Sequence, residues 1–250
     1  MKTVMITVLV FLSVKSYCQH NLYTFNNGSL IEGTKLKLQF NASKKALPPT
    51  HELTAVIYNK VIKNDTVINY VNFSVSKKST VRDSQDLKFI YRQDSTFLLL
   101  NQRLPAFKLK DMLGNEISSA KFLGKPILIN FWATYCGPCI EEMPQLSRLK
   151  KKYEGKMNFI AITENNTDND HLLEFLKNKD FNFQVLTDGK IYEKELKIKA
   201  LPKNLFVDSF GILRYIQDGY PINTSGEPSV HDDNDFTKII DKLIGNSNQQ

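Results

Sequence analysis

The chain has 250 residues, 42% apolar and 24% charged, with three cysteines and a formal net charge of +7. That balance excludes a collagen-like, low-complexity or largely disordered chain and allows one large core or two modest ones. No apolar run reaches the ~18 residues of a membrane-spanning helix, and three cysteines are too few for a disulfide scaffold. The chain opens with Met1-Lys2-Thr3, an apolar run from Val4 to Val14, then Lys15-Ser16-Tyr17-Cys18-Gln19. A positive start before a short apolar run reads as a secretory signal over residues 1–18, cut after Cys18. The expected location is outside the cytoplasm, in the periplasm or cell envelope. A lipid anchor on Cys18 fits less well, because Lys15 and Tyr17 stand where that signal wants a branched apolar and a small residue, and an uncleaved signal anchor is the other lesser reading. Cleavage would remove Lys2 and Lys15, lowering the charge from +7 to +5, and leave Cys136 and Cys139 as the remaining cysteines.

Residues 19–102 are predicted to form a β-rich domain, a small β-sandwich or antiparallel sheet. Lys35 to Phe40 and Val71 to Val75 alternate polar and apolar residues, the period of a strand. Leu53 to Tyr58, Leu87 to Tyr91 and Thr96 to Leu100 are rich in aliphatic, β-branched or aromatic residues and read as further strands. Breaks are expected at Asn26-Asn27-Gly28, Leu47-Pro48-Pro49 and Lys63-Asn64-Asp65. No motif in this region assigns it a role.

From residue 103 to 250 the pattern changes to strands alternating with helices. Pro126 to Phe131 is a short, mostly apolar run, as in a buried parallel strand. Pro138 to Tyr153 carries Ile140, Met143, Leu146, Leu149 and Tyr153 at helical spacing. Met157 to Thr163 is the next strand and His171 to Lys177 the next helix. Leu205 to Asp208 and Ile212 to Gln217 form a hairpin through Ser209-Phe210-Gly211. Phe236, Ile239, Ile240, Leu243 and Ile244 mark a last amphipathic helix behind Asp232, Asp233 and Asp235. The order βαβα, then ββα, predicts an α/β sheet with an antiparallel edge.

Cys136-Gly137-Pro138-Cys139 falls where the first strand of this region ends and its helix begins. A thiol at a helix N-terminus meets unpaired backbone N–H groups and the positive end of the helix dipole, which favour the thiolate. Thiolate is the attacking species in disulfide exchange, so Cys136 is the expected nucleophile and Cys139 the resolving thiol. Gly137 allows a tight turn, and Pro138 sits where a missing N–H costs little. A purely structural disulfide would close a two-residue loop and remove little chain entropy. Half of a zinc site is the other alternative, but no second Cys-x-x-Cys exists and His51, His171 and His231 are scattered. Lys150-Lys151-Lys152 reads as a solvated helix face, and no phosphate loop or nucleic-acid signature appears.

Phe131-Trp132-Ala133-Thr134-Tyr135-Cys136-Gly137-Pro138-Cys139 resembles the active site of the thioredoxin superfamily. Glu142-Met143-Pro144 resembles the exported TlpA/ResA branch, which also serves cytochrome c maturation. Leu104-Pro105-Ala106-Phe107-Lys108-Leu109, Leu113-Gly114-Asn115 and Leu123-Gly124-Lys125-Pro126 are similar to that branch's lead-in. Leu201-Pro202 followed by Lys203-Asn204-Leu205-Phe206-Val207-Asp208 is similar to its cis-proline loop and next strand. The resemblance covers about residues 104 to 245.

The resemblance implies a thioredoxin-like domain preceded by the β-rich one, and a thiol–disulfide oxidoreductase that uses no cofactor and no metal. The implied partners are protein disulfide substrates and a membrane thiol–disulfide electron donor, with no nucleic acid. Cys136 and Cys139 would carry the exchange, with Glu142 tuning the thiols or accepting a proton. Trp132, Tyr135, Gly137, Pro138, Leu201 and Pro202 would form the substrate-docking surface, and Pro144 would kink the helix. Two positions depart from the family. Asn130 stands where thioredoxin has a buried aspartate, leaving Glu142 as the replacement acid, and Tyr135 stands where tryptophan is commoner. Glu164 to Asp170 reads as a plain polar turn. A partner-binding or metal-carrying platform is the alternative use of such a domain.

Overall fold

The computed structural model describes residues 20–25, 29–77, 87–221 and 234–247. The leader 1–18, the Asn26-Asn27-Gly28 break and the acids Asp232 and Asp233 lie outside them.

The first layer contains β1 (His20–Thr24), β2 (Ile31–Glu32), α1 (Gly33–Lys45), β3 (His51–Lys63), β4 (Thr66–Lys77) and β5 (Phe89–Tyr91). Its centre is the long β3–β4 hairpin, paired from His51↔Lys77 to Lys63↔Thr66. The chain reverses at Asn64, whose φ of 54° is a left-handed conformation that asparagine tolerates. Strand order is β2-β1-β4-β3-β5, with β1 parallel to β4 and β5 parallel to β3. The layer is therefore one mixed sheet carrying a helix, in place of the expected sandwich or antiparallel sheet.

The predicted strand Lys35 to Phe40 lies inside α1. Leu36, Leu38 and Phe40 fit a two-residue period, but Leu36 and Phe40 are also one helical turn apart. The helix buries those two and leaves Leu38 71% exposed. Phe40 packs edge-on to Phe73 of β4, centroids 5.4 Å apart. Phe40→Ala is expected to cost about 3–5 kcal/mol of stability, measurable as a lowered denaturant midpoint.

The predicted strand Thr96 to Leu100 is also corrected, to a 3-10 turn over Ser95–Leu99. Asp94 Oδ1 accepts from the Thr96 N–H at 2.9 Å and caps the turn. Phe97 is thereby driven into the core, stacked on Tyr58 of β3 with centroids 5.8 Å apart. Beyond the turn the chain joins the second sheet: Asn101 N–H donates to Leu213 O, Leu213 N–H to Gln102 O, and Arg103 bridges to Ile212.

The second layer comprises β6 (Lys108–Asp111), β7 (Glu116–Ser118), β8 (Ile127–Trp132), α2 (Gly137–Lys152), β9 (Asn158–Thr163), α3 (Leu172–Lys177), β10 (Gln184–Thr187), α4 (Lys190–Glu195), β11 (Lys203–Val207), β12 (Leu213–Gln217) and α5 (Asp235–Ser247). β10 and α4 have no counterpart among the predicted elements, being too short for a period to emerge. Strand order is β12-β11-β8-β9-β10-β6-β7; β8, β9 and β10 run parallel, and β11 antiparallel to β8.

Every residue of β8 is buried, and its alternation sorts two cores. Leu128 and Trp132 join Met143 and Leu146 of α2 and Phe236 and Ile239 of α5 on one face. Ile127, Ile129 and Phe131 join Tyr192 of α4 and Phe97 on the other, where Tyr58 and Tyr70 of the first layer also pack. Asn234 caps α5, its Oδ1 accepting from the Phe236 and Thr237 N–H groups. Asn130 therefore belongs to the α2 side, beneath the strand-to-helix junction.

Candidate active site

β8 ends at Trp132, and Ala133 to Tyr135 carry the chain to the first turn of α2. Cys136 is the N-cap residue, with extended backbone, and its Sγ accepts from the Cys139 N–H at 3.3 Å. This is one of the N–H groups a helix start leaves without an intrahelical partner. Cys136 and Cys139 are joined by a disulfide. Cys136 is 8% exposed and Cys139 1%, so the first is the more accessible of the pair. Gly137 and Pro138 are exposed beside them. Pro144 lies inside α2, where it removes a backbone donor to Ile140 O.

Tyr135 is 72% exposed, and its hydroxyl donates to Glu164 Oε1 at 2.6 Å. That bond, reinforced by the nearby charge, pushes the phenol up to about 12. Glu164 is held below its ordinary value by the same bond and by Lys190 at 3.0 Å. Asn165, 7% exposed, accepts from the Thr134 N–H at 2.9 Å and from the Thr163 hydroxyl at 3.0 Å. The Glu164–Asp170 turn, read from sequence as a plain loop, therefore braces the approach to Cys136. Trp132 is corrected as a docking residue. It is fully buried, packed against Phe175 and Phe181, because strand alternation turns it toward α2 and α3.

The Leu201–Pro202 peptide bond is cis, as the resemblance implies. Pro202 is buried, and half-buried Leu201 packs on the cluster that holds both cysteines. Among the described residues, the Leu201 N–H and C=O make no backbone hydrogen bond.

Glu142 follows Cys139 by one helical turn and points inward, 3% exposed. Its Oε1 accepts from Asn130 Nδ2 at 2.8 Å and Asn204 Nδ2 at 3.4 Å, and its Oε2 from the Tyr220 N–H at 2.6 Å. Asn130 and Asn204 are cross-strand partners on β8 and β11, and Asn130 also donates to Asn204 Oδ1 at 3.0 Å. Burial pushes the carboxyl up to about 7, outweighing the three donors, which favour the charged form. Near neutrality it can either hold or accept a proton. Asn204 and Tyr220 escaped the sequence reading; an asparagine within the buried run Lys203–Val207 is the signal that could have found the first.

The strand order, the cis-proline and a disulfide on a helix N-cap define a thioredoxin-like thiol–disulfide oxidoreductase. Residues 99–233, more than half of the chain, match the Redoxin family, and the protein belongs to that family. It is 32% identical over 120 residues to the thioredoxin-like protein YneN of Bacillus subtilis (strain 168), covering 47% of this chain and 71% of that one. It is 34% identical over 115 residues to the thiol-disulfide oxidoreductase ResA of Bacillus thuringiensis subsp. konkukian, covering 45% of this chain and 65% of that one. These relatives place it in the TlpA/ResA-like branch of the thioredoxin superfamily. The fold alone is shared with a Chlorobium tepidum crystal structure described as a thiol:disulfide interchange protein, DsbE. That match has a TM-score of 0.50 and 20% identity, covering 58% of this chain and 98% of that one. Residues 20–98 lie outside the Redoxin match.

Proposed function

We propose that this protein is an exported reductase of protein disulfides, working through Cys136 and Cys139 and recharged by a membrane thiol–disulfide donor. The observation that carries the reading is the disulfide itself: the more accessible cysteine on a helix N-cap, the other fully buried a turn away, with Glu142 beyond it. In the reduced protein the Cys136 thiolate attacks one sulfur of a substrate disulfide, forming a mixed disulfide and releasing the other sulfur as thiolate. Cys139, deprotonated with Glu142 as acceptor, then attacks Cys136 Sγ and releases the second substrate thiol. Two electrons have passed to the substrate, and the pair ends as the disulfide described above. A substrate chain docks in this reading across Tyr135, Gly137 and Pro138 and along the Leu201 backbone.

Export is supported by the apolar run Val4 to Val14 behind Lys2. In that setting, cysteines that must stay reduced during cytochrome c maturation are one substrate class that fits. The test is reduction of insulin disulfides by the purified chain together with its midpoint potential. Catalysis with a potential well below about −150 mV is expected; a potential near or above that value assigns an oxidase instead. Equal rates for wild type and Cys136→Ser would remove the enzyme reading.

A further inference from the structure

Lys203 is the first residue of β11 and directly follows the cis Leu201–Pro202 bond, yet its side chain is 2% exposed. An ammonium at that depth is costly unless it is paired and hydrogen-bonded. Nζ donates to Asp94 Oδ2 at 2.6 Å and also to Asp218 Oδ1. The two carboxylates come from different parts of the molecule. Asp94 caps the 3-10 turn, and its own N–H donates to Tyr58 O of β3 at 3.1 Å. Thr96 in that turn donates its hydroxyl to Lys197 O at 3.3 Å, just ahead of the cis-proline loop. Asp218 follows β12 and begins the run to Tyr220, whose N–H holds Glu142. Gly219 between them lies against both Pro202 and Glu142: a Cβ there would stand 3.5 Å from Pro202 and 3.6 Å from the Glu142 carboxylate.

We infer that Lys203, clamped between Asp94 and Asp218, is a positioning residue through which the N-terminal layer holds the Leu201–Pro202 backbone in place for a docked chain. The inference rests on the docking role proposed above for that loop. It also gives the β3 and 3-10 segments, partly outside the Redoxin match, a function at the site. A triad that served stability alone would gain little, because apolar side chains of similar volume stabilise a buried position at least as well. What a buried ion triad adds is direction. It ties three chain segments to one point, and two of them, the cis-proline loop and the Asp218–Tyr220 run, also touch Pro202 or Glu142.

The test uses the full chain with Cys139→Ser, so that only the first exchange at Cys136 is read. Cys136 is offered a peptide whose cysteine carries a thionitrobenzoate group and, separately, the small disulfide dithiobis-nitrobenzoate. In each case the Cys136 thiolate forms a mixed disulfide and coloured thionitrobenzoate leaves. The peptide needs the Leu201 backbone and the small disulfide does not. Asp94→Asn, which leaves Lys203 paired with Asp218, is expected to slow the peptide reaction about tenfold and the small disulfide by no more than about twofold. Thr96→Val, which removes the hydroxyl that bonds both Lys197 O and the Asp94 carboxylate, is expected to shift the ratio in the same direction and decides the matter if Asp94→Asn does not fold. An unchanged ratio in folded variants, with both rates intact or both reduced together, overturns the inference. If the Cys139→Ser chain releases thionitrobenzoate from neither reagent, the assignment of Cys136 as nucleophile fails first, and the positioning role with it.

Discussion

Cys136→Ser is expected to lower disulfide exchange about 1000-fold or more, to the rate of the uncatalysed reaction, whereas Cys139→Ser loses turnover but keeps the first step. The asymmetry follows from exposure and from one hydrogen bond. Cys136 shows 8% of its surface and Cys139 1%, so Cys136 is the more open of the two to a partner sulfur. The Cys136 sulfur has the Cys139 N–H aimed at it and sits at the positive end of a helix of sixteen residues. Both favour the thiolate over the thiol. Serine offers neither a comparable nucleophile nor an exchangeable bond. Cys139→Ser removes the thiol that, among the described residues, is placed to release the partner, so covalent partner–protein complexes should accumulate and dissolve on adding dithiothreitol. Mass spectrometry of those complexes would also name the substrate. Trapping by Cys136→Ser in place of Cys139→Ser would reverse the assignment.

The chemistry of this protein was legible where it is local in sequence and hidden where it is assembled across the chain. Cys136, Gly137, Pro138 and Cys139 lie within one strand-to-helix junction, so their spacing places them, and Glu142, a turn further on, follows from the resemblance. The donors that hold Glu142 come from Asn204 and Tyr220, 62 and 78 residues away, and the Asp94–Lys203 pair spans 109. No periodicity joins such positions; they meet because β11 pairs with β8 in a register that sets Asn204 against Asn130. Trp132 was misplaced for a related reason. Tyr135, Gly137 and Pro138 later in the motif are exposed, but Trp132, as the last residue of β8, obeys the alternation of the strand and faces inward. In α1 the ambiguity was intrinsic. Leu36, Leu38 and Phe40 fit the strand period and Leu36 with Phe40 the helical one, and packing against the sheet, Phe73 included, goes with the helix.

Glu142→Gln is the second large effect, and it carries a pH signature. In the unfolded chain this carboxyl loses its proton near the ordinary 4.5; in the fold burial keeps the proton on up to about 7. Between those values the folded state binds more protons than the unfolded one, so wild-type stability falls as pH rises through that window and levels off above it. The gap corresponds to about 3 kcal/mol, an upper figure because Asn130, Asn204 and Tyr220 can tighten on the charged form. Glutamine keeps the shape and cannot ionise, so thermal melts of Glu142→Gln between pH 5 and pH 8 should lose that share of the slope. Exchange moves the other way. Above pH 7 the ionised Glu142 can take the Cys139 proton, and Glu142→Gln is expected to slow turnover about 100-fold at pH 8 and much less at pH 5. Glu193 supplies the control. Burial raises its carboxyl to about 7 as well, with Glu164 adding to the shift, but it sits on α4, outside the hydrogen-bond set that joins Glu142 to Asn130, Asn204 and Tyr220. Glu193→Gln should flatten part of the stability slope while leaving turnover near wild type. If Glu142→Gln likewise flattens stability without a pH-dependent loss of turnover, Glu142 is a buried structural acid and takes no part in resolving the mixed disulfide.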